Sequence, residues 1–371
     1  MDQVDLSPAS SSISSAAPRF SLLRQCLSPV LSLFAILLAC LGLFEWDVPL
    51  TRFVRALNDV QIDHLHNPWL AQWSEIGDRL GRGESLVLIS LVVLAVGWGL
   101  RDSVWKQAGW QSLLAHGLAA LVSNLVKHLV GRPRPKFMHA GTAGLSPAGG
   151  SGWDSFPSGH ATASFAVATV IVLRFPRVRP LLIAAATAIA ASRILRGSHF
   201  LTDVVGGATI GYVIGTVAAS PWREWRRSLD AALPVAAMAL ASCLVVMTTI
   251  GIPARSDSMY LMMTGTGFVA VLGGVAAVGA ETFAGFVLPR WSSRRFMLSS
   301  IAFGFGMVSG GLWATVTMLC AAAAVWLRPS SGLPTTEAIP VRSLLRETVL
   351  AAVLLGALLL LTQLRGALPL S

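Results

Sequence analysis

The segment at residues 181–219 reads LLIAAATAIAASRILRGSHFLTDVVGGATIGYVIGTVAA. It contains two apolar runs, roughly Leu181 to Ile194 and Val204 to Ala219, on either side of a polar connection. Apolar runs that approach the roughly 20 residues needed to cross a bilayer indicate membrane helices. The segment therefore predicts two membrane-spanning helices joined, at one membrane surface, by a turn rich in charged residues.

Similar apolar stretches occur along the whole chain, four before this segment and four after it. They run roughly over Pro29–Phe44, Ser85–Leu100, Ser112–Val126, Phe156–Leu173, Leu233–Ile250, Met259–Ala280, Met297–Leu327 and Thr348–Leu364. The stretch from Met297 is Gly-rich and is either one tilted helix or a tight helical hairpin. We therefore predict an all-α integral membrane protein with a six-helix transmembrane core and about four additional C-terminal transmembrane helices.

The composition favours a membrane protein, since 54% of the 371 residues are hydrophobic and only 12% are charged. Those shares exclude an ordinary soluble domain and a disordered chain. The formal net charge of +10 does not indicate nucleic-acid binding, because the basic residues cluster in loops between apolar runs. Such clusters mark cytoplasmic loops and place the N-terminus inside. Arg342 and Arg346 fit this orientation only if the Met297 stretch is a hairpin.

Three polar segments interrupt the apolar pattern. They are KHLVGRPRP at residues 127–135, PSGH at residues 157–160 and SRILRGSHFLTD at residues 192–203. By the helix count all three emerge on the same, outer face of the membrane. Two cations at a helix end, a Ser-Gly-His turn and an Arg/His/Asp set together predict an anion site with its own nucleophile.

The residue types in these segments suit a phosphate ligand. Gly159 allows the backbone N–H groups at the start of a helix to approach a phosphate closely, where the helix dipole is positive. Lys127, Arg134 and Arg193 would supply charge and hydrogen-bond donors to phosphoryl oxygens. These residues therefore predict a binding site for a phosphoryl group.

Two histidines are the candidates for the chemistry. His199 and Asp203 lie about one helical turn apart, so the carboxylate can hold one ring nitrogen and leave the other free to attack. His160 is then the group that can protonate a leaving oxygen. Near the cluster the sequence offers only the carboxylates of Asp154 and Asp203, too few for magnesium or a two-metal site. We therefore expect neither a metal nor another cofactor.

The three segments, K-x6-R-P, P-S-G-H and S-R-x5-H-x3-D, resemble the signatures of the type 2 phosphatidic acid phosphatase (lipid phosphate phosphatase) superfamily, in its bacterial membrane branch. The resemblance covers about the first 230 residues and implies a six-helix core with a metal-independent site. It makes His199 the nucleophile that forms a phosphohistidine, oriented by Asp203, and His160 the general acid and later the base for water. The residues implied to bind the phosphoryl group are Lys127, Arg134, Ser158, Gly159 and Arg193.

Other polar residues receive weaker interpretations. Arg132, Lys136 and Arg196 are expected to be solvated or to face lipid headgroups, with assistance to phosphate capture as the alternative. His116, His128 and His139 are expected to be structural. Gly207, Gly211 and Gly215 recur every four residues and predict a close helix-packing face. The Gly-rich segment from Phe137 to Ser155 is either a passive linker or a mobile flap. Glu281 is either a functional intramembrane acid or a structural one near a helix end.

The expected organisation is a disordered cytoplasmic tail at 1–21, a six-helix membrane phosphatase domain at 22–230 and a C-terminal transmembrane region of unknown role at 231–371. The expected activity is removal of phosphate from a lipid phosphate or diphosphate at the outer face of a bacterial inner membrane, facing the periplasm or exterior. Undecaprenyl diphosphate is the first substrate candidate, followed by phosphatidic acid and phosphatidylglycerol phosphate. Alternatives are a lipid phosphotransferase, a phosphatase coupled to lipid translocation, and a soluble-substrate phosphatase or haloperoxidase relative. The expected partners are membrane lipids and not nucleic acid; the sequence does not predict an oligomeric state.

Overall fold

A computed structural model describes residues 17–59, 68–137, 144–283, 290–328 and 341–368. These residues form twelve α-helices and three short 3₁₀ turns, and no strand occurs among them. The helices are α1 (Ala17–Asp59), α2 (Pro68–Leu80), α3 (Gly83–Gly99), α4 (Ser103–Val130), α5 (Gly159–Arg174), α6 (Arg179–Leu195), α7 (Leu201–Ala218), α8 (Trp225–Gly251), α9 (Ser258–Phe283), α10 (Arg290–Val308), α11 (Leu312–Leu327) and α12 (Val341–Gln363). The stretch expected to be a disordered tail is 1–21. Its residues 1–16 lie outside the described residues, and α1 begins within it, at Ala17.

The helices have the length and surface of a membrane protein. Among the described residues, six are long and apolar enough to cross a bilayer, namely α1, α4, α6, α7, α8 and α9. A seventh span results if α2 and α3, which meet at a bend of 59°, are counted as one. Large apolar side chains such as Leu121 and Val269 point outward, as lipid-facing residues do. The prediction of an all-α integral membrane protein is confirmed.

Glycines bring α7 against α5, as their spacing predicts. A Cβ atom at Gly207 would lie 2.8 Å from the carbonyl oxygen of Ser158, and one at Gly215 would lie 2.5 Å from that of Ala166. Only glycine permits backbones to approach this closely. The two helices that carry the second and third motifs are thereby held in contact.

The stretch from Met297 is a hairpin of two helices. α10 and α11 are separated by Ser309–Gly311, where Gly310 has a φ of +74° that favours glycine. The C-terminal region therefore contributes five helices, α8 to α12, where about four were expected. Backbone N–H groups of Gly366 and Leu368 donate to the carbonyls of Thr249 and Ile250, at 3.2 and 3.1 Å. α12 and α8 thus end together, and the start of α12, with its two arginines, lies at the opposite end of the bundle.

The C-terminal helices pack directly on α1. Leu43, Leu240, Leu244 and Met318 are at most 2% exposed and form one cluster between α1, α8 and α11. Trp313 donates from Nε1 to the carbonyl of Leu38 at 2.8 Å. α1 is therefore shared between the C-terminal region and the helices that carry the motifs.

Candidate active site

The three motif segments meet at one end of the bundle. α4 ends at Val130, and the left-handed conformation of the next residue, Gly131 (φ +57°), stops the helix. Backbone hydrogen bonds then join the segments, from Ser155 N–H to the Arg132 carbonyl at 3.0 Å and from Ser158 N–H to the Asp203 carbonyl at 2.9 Å. Because of these bonds, the eight residues predicted for the site lie around one space. They are His199, His160, Asp203, Lys127, Arg134, Ser158, Gly159 and Arg193.

His199 lies in the turn between α6 and α7 and is only 3% exposed. Its Nδ1 is 2.8 Å from the carbonyl oxygen of Ser155. A carbonyl only accepts, so Nδ1 carries the hydrogen and Nε2 keeps a free lone pair. Burial lowers the pKa of His199, which favours the neutral imidazole. The geometry therefore leaves Nε2 as the ring nitrogen with an available lone pair.

The contact between His199 and Asp203 differs from the prediction. The Asp203 carboxylate lies 3.7 Å from Nδ1 of His199, at ion-pair rather than hydrogen-bond distance. It is the Ser155 carbonyl that holds this nitrogen, while the Ser155 hydroxyl donates to Asp203 at 2.5 Å. Asp203 also accepts from the Phe200 N–H at 2.8 Å. The carboxylate therefore orients the turn that carries His199 and supplies negative charge beside the ring.

Arg132 is buried, and the expectation that it is solvated or faces headgroups is wrong. It donates to Asp203 at 2.6 Å and to Asp47 at 2.7 Å, and only 6% of the residue is exposed. Its guanidinium carbon lies 4.1 and 4.2 Å from the ring centres of Phe44 and Phe200. A buried guanidinium needs such partners to offset its desolvation. Asp47 in turn accepts from the N–H of Thr202 at 2.9 Å, so α1, α4 and α7 are linked behind the histidine.

The opposite wall of the site presents unsatisfied donors. Among the described residues, Ser158 Oγ and Arg193 Nε are buried without a hydrogen-bond partner. Outside its own helix and among the described residues, a Cβ atom built on Gly159 would have only Lys127 Nζ within 4 Å, at 3.8 Å. Buried donors are rarely left unpaired in proteins. Free donors, an ammonium group and the positive end of α5 around open space suit a tetrahedral oxyanion.

Carboxylates engage the cations predicted to bind phosphate. Arg134 makes a two-point contact with Asp154, at 2.8 and 2.6 Å, and Lys127 lies 3.9 Å from the same carboxylate. The hydrogen bond from Arg134 is the main reason that the pKa of Asp154 falls to about 2. Arg193 is paired with Asp78 of α2 through one nitrogen, Nη1, which donates to the carboxylate.

Asp78 and Asp47 correct the expectation that Asp154 and Asp203 are the only carboxylates near the cluster. Asp78 also lies 3.1 Å from Arg196, which is thereby an ion-pair partner at the edge of the site. His160 Nε2 is 3.2 Å from the carbonyl oxygen of Asp78 and 3.4 Å from its carboxylate. Among the described residues, no group of three or more His, Cys, Asp or Glu side chains is placed to hold a metal ion.

The remaining candidates lie away from this space. Lys136 and His128 are exposed, while Nδ1 of His116 is buried in α4 and has no hydrogen-bond partner in the described part of the chain. The Gly-rich segment is fixed to the end of α4 from Gly144 onward, by bonds such as Ser146 N–H to the Gly131 carbonyl at 2.7 Å. Its residues 138–143, including His139, lie outside the described residues, as does the side chain of Glu281.

Comparison with known proteins agrees with the motifs. Residues 108–227 match the model of the PAP2 superfamily. A lipid A 1-phosphatase of Rhizobium johnstonii is 38% identical over 95 residues, which are 25% of this chain and 39% of that protein. The chain thus spans well under two thirds of that relative.

Two further proteins extend the comparison. The decaprenylphosphoryl-5-phosphoribose phosphatase of Mycobacterium tuberculosis is 32% identical over 133 residues, which are 36% of this chain and 70% of that protein. A solved relative is the transmembrane PAP2 type phosphatidylglycerolphosphate phosphatase from Bacillus subtilis, whose sequence is 24% identical to this chain. Its crystal structure has a TM-score of 0.39 and is matched over 52% of this chain and 94% of that one. Since the mycobacterial relative is matched over more than two thirds of its length, and the three signatures meet at one site, the chain belongs to the PAP2 superfamily.

Proposed function

We propose that this protein is a membrane-embedded lipid phosphatase that acts through a phosphohistidine on His199. The observation that carries the proposal is the buried imidazole whose Nδ1 is held by the Ser155 carbonyl and whose Nε2 has no hydrogen-bond partner among the described residues. An oriented, neutral imidazole beside a fixed carboxylate is the arrangement that nucleophilic catalysis requires. The free donors of Ser158 and Arg193 support a phosphoryl group as the electrophile.

In the first step, Nε2 of His199 attacks phosphorus and the bond to the leaving oxygen breaks. Burial lowers the pKa of His160 to about 4, so the ring carries its second proton only when the anionic substrate lies beside it. In that complex His160 gives this proton to the leaving oxygen. Lys127, Arg134, Arg193 and the N-terminus of α5 stabilise the negative charge on the transferring group, which is where most of the rate enhancement in phosphoryl transfer arises. No step in this sequence needs a metal ion.

In the second step, water attacks the phosphohistidine and the N–P bond breaks. His160, now neutral, takes a proton from the water. Asp203 and Arg132 keep the His199 turn in place in both steps. The products are inorganic phosphate and the dephosphorylated lipid, and His199 returns to its starting state.

The substrate is proposed to be a lipid phosphate or diphosphate. The rhizobial and mycobacterial relatives are named as phosphatases of lipid A and of decaprenylphosphoryl-5-phosphoribose. Undecaprenyl diphosphate stays the first candidate, with phosphatidic acid and phosphatidylglycerol phosphate behind it. Arg177, between α5 and α6, and Arg227, in the first turn of α8, lie at the other end of the bundle, and these basic residues favour an outward-facing site. We therefore place the reaction at the outer face of a bacterial inner membrane.

The test is phosphate release by the purified protein in detergent, with a panel of these lipids and with or without EDTA. We expect activity that survives EDTA, is inhibited by vanadate and disappears in His199→Ala. The matched control is His128→Ala, which removes an exposed histidine outside the site. Labelled phosphate should pass through an acid-labile protein adduct to water. Full activity of His199→Ala would refute the assignment, and transfer of label to a second lipid would identify a phosphotransferase instead.

A further inference from the structure

Asp78 belongs to α2 and lies outside all three motif segments. It contacts Arg193, Arg196 and His160 at once. We propose that Asp78 is a positioning residue for His160, which it holds so that Nδ1 of the imidazole faces the leaving group. This inference rests on the proposed function, because it takes His160 as the general acid of that reaction.

The contacts of the His160 ring define which nitrogen is available. Nε2 lies 3.2 Å from the main-chain carbonyl oxygen of Asp78 and 3.4 Å from its carboxylate oxygen Oδ1. Both oxygens accept, so Nε2 carries a hydrogen when it bonds to either. Nδ1 has no protein partner among the described residues. In the protonated ring, Nδ1–H is therefore the donor left for a substrate oxygen.

The carboxylate of Asp78 is itself fixed from several sides. Its Oδ2 lies 3.1 Å from Arg196 and 3.1 Å from Arg82, and Oδ1 accepts from Arg193. The side chain is 13% exposed. Because three arginines donate to it, the carboxylate occupies one place, and so can impose an orientation on the imidazole.

Two glycines let α2 come close enough for these contacts. A Cβ atom at Gly77 would lie 2.5 Å from Cβ of Ser192, and one at Gly81 would lie 2.6 Å from Cδ2 of His160. A side chain at either position would push α2 away from α6 and α5. Gly77 and Gly81 therefore allow α2 to pack closely enough for Asp78 to contact the His160 ring.

Asp78 takes no proton from the substrate in this scheme. While the N–P bond to His199 forms and the P–O bond breaks, the leaving oxygen receives the proton of His160 Nδ1. When water attacks and the N–P bond breaks, the proton released by water returns to Nδ1. Asp78 keeps Nε2–H in both steps, so its removal should harm proton transfer more than phosphate binding.

The experiment compares Asp78→Asn with the unchanged protein on two substrates. Short-chain phosphatidic acid has an alkoxide leaving group that needs a proton, whereas p-nitrophenyl phosphate has a phenolate that leaves without one. We expect kcat/KM to fall about 10- to 100-fold on phosphatidic acid and by less than about threefold on the aryl ester. kcat/KM is used because it reports the first step alone. The control is Glu75→Gln, one turn away on α2 in an exposed pair with Arg79, which should leave both values unchanged.

Two results would overturn the inference. An equal loss on both substrates would mean that Asp78 acts by holding Arg193 for phosphate binding. A gain in kcat/KM would mean that its carboxylate competes with the phosphate. If Asp78→Asn does not fold, Asp78→Glu, which displaces the carboxylate by one methylene, must show the same substrate-selective loss. Failure of the proposed function is distinguished by the unchanged protein, which would then form no phosphohistidine with either ester.

Discussion

Removal of Arg132 tests the buried layer behind His199. Its guanidinium makes charge-assisted hydrogen bonds to Asp203 at 2.6 Å and to Asp47 at 2.7 Å. Each such bond is worth roughly 1.5–3 kcal/mol, so the pair adds to about 3–6 kcal/mol. This agrees with the roughly 3–5 kcal/mol lost when one partner of a buried ion pair is removed. Arg132→Met should therefore lower the melting temperature clearly.

The effect on catalysis should be smaller than the effect on stability. Only the bond to Asp203 adjoins the His199 turn, so about 1.5–3 kcal/mol reaches the transition state, or roughly 10- to 150-fold in kcat. Asp47→Asn keeps an oxygen for the Thr202 N–H and should cost less. Because the two residues share one bond, the double variant should lose less stability than the sum of the single variants.

The assays are thermal unfolding in detergent and kcat on a lipid phosphate. Lys136→Met is the matched control, since it removes a nearby cation that is exposed. Arg132→Lys keeps the charge but not the fork that bridges two carboxylates, so it should lie between the unchanged protein and Arg132→Met. A folded Arg132→Met protein with unchanged kcat and melting temperature would refute the reasoning.

Three further predictions concern the site and its helices. Because burial lowers the pKa of His199, its neutral form persists on acidification. The acid-side decline of kcat/KM should therefore have its midpoint below about pH 6.5. A pH profile, corrected for titration of the substrate, that places this midpoint higher would contradict the prediction. Gly159→Ala would put a methyl group into the space beside Lys127 Nζ, and should lower kcat/KM about tenfold by displacing the phosphoryl group while the melting temperature stays constant. Gly211→Leu would place its Cβ 3.0 Å from the backbone nitrogen of Ala166 and should lower the free energy of unfolding by about 1–3 kcal/mol. The measurement is the melting temperature, and the control is Gly265→Leu, whose Cβ position has no described atom within 4 Å.

The sequence predicted the residues of the motifs but not the partners that orient them. His199, His160, Asp203 and the phosphate-binding set lie in short segments whose spacing carries information. Asp47 meets Arg132 from 85 positions away, and Asp78 meets Arg193 from 115 positions away. Such contacts depend on the relative height and rotation of packed helices, which apolar periodicity does not specify.

The same limit explains the helices that the sequence left open. α2 is amphipathic and short, so it does not stand out as an apolar stretch, although it contributes Asp78. The hairpin of α10 and α11 lies in one continuous apolar stretch, in which the only sign of a turn is the Ser-Gly-Gly sequence at 309–311. Glycines inside membrane helices are common, so this sign does not separate a turn from a packing face.

The charge of the site is balanced in a way that the motifs alone conceal. The motif cations suggest an open positive pocket, yet in the part of the chain that the structure describes each one faces a carboxylate. Five cations pair there with four carboxylates, namely Lys127, Arg134, Arg193, Arg196 and Arg132 with Asp154, Asp78, Asp203 and Asp47. A phosphate that binds Arg134 must replace the Asp154 carboxylate, so it gains only the difference between two sets of charge-assisted bonds. This difference gives weak binding of the product phosphate and stronger binding as charge develops on the transferring group. Binding energy that appears only in the transition state raises kcat and does not slow the release of product.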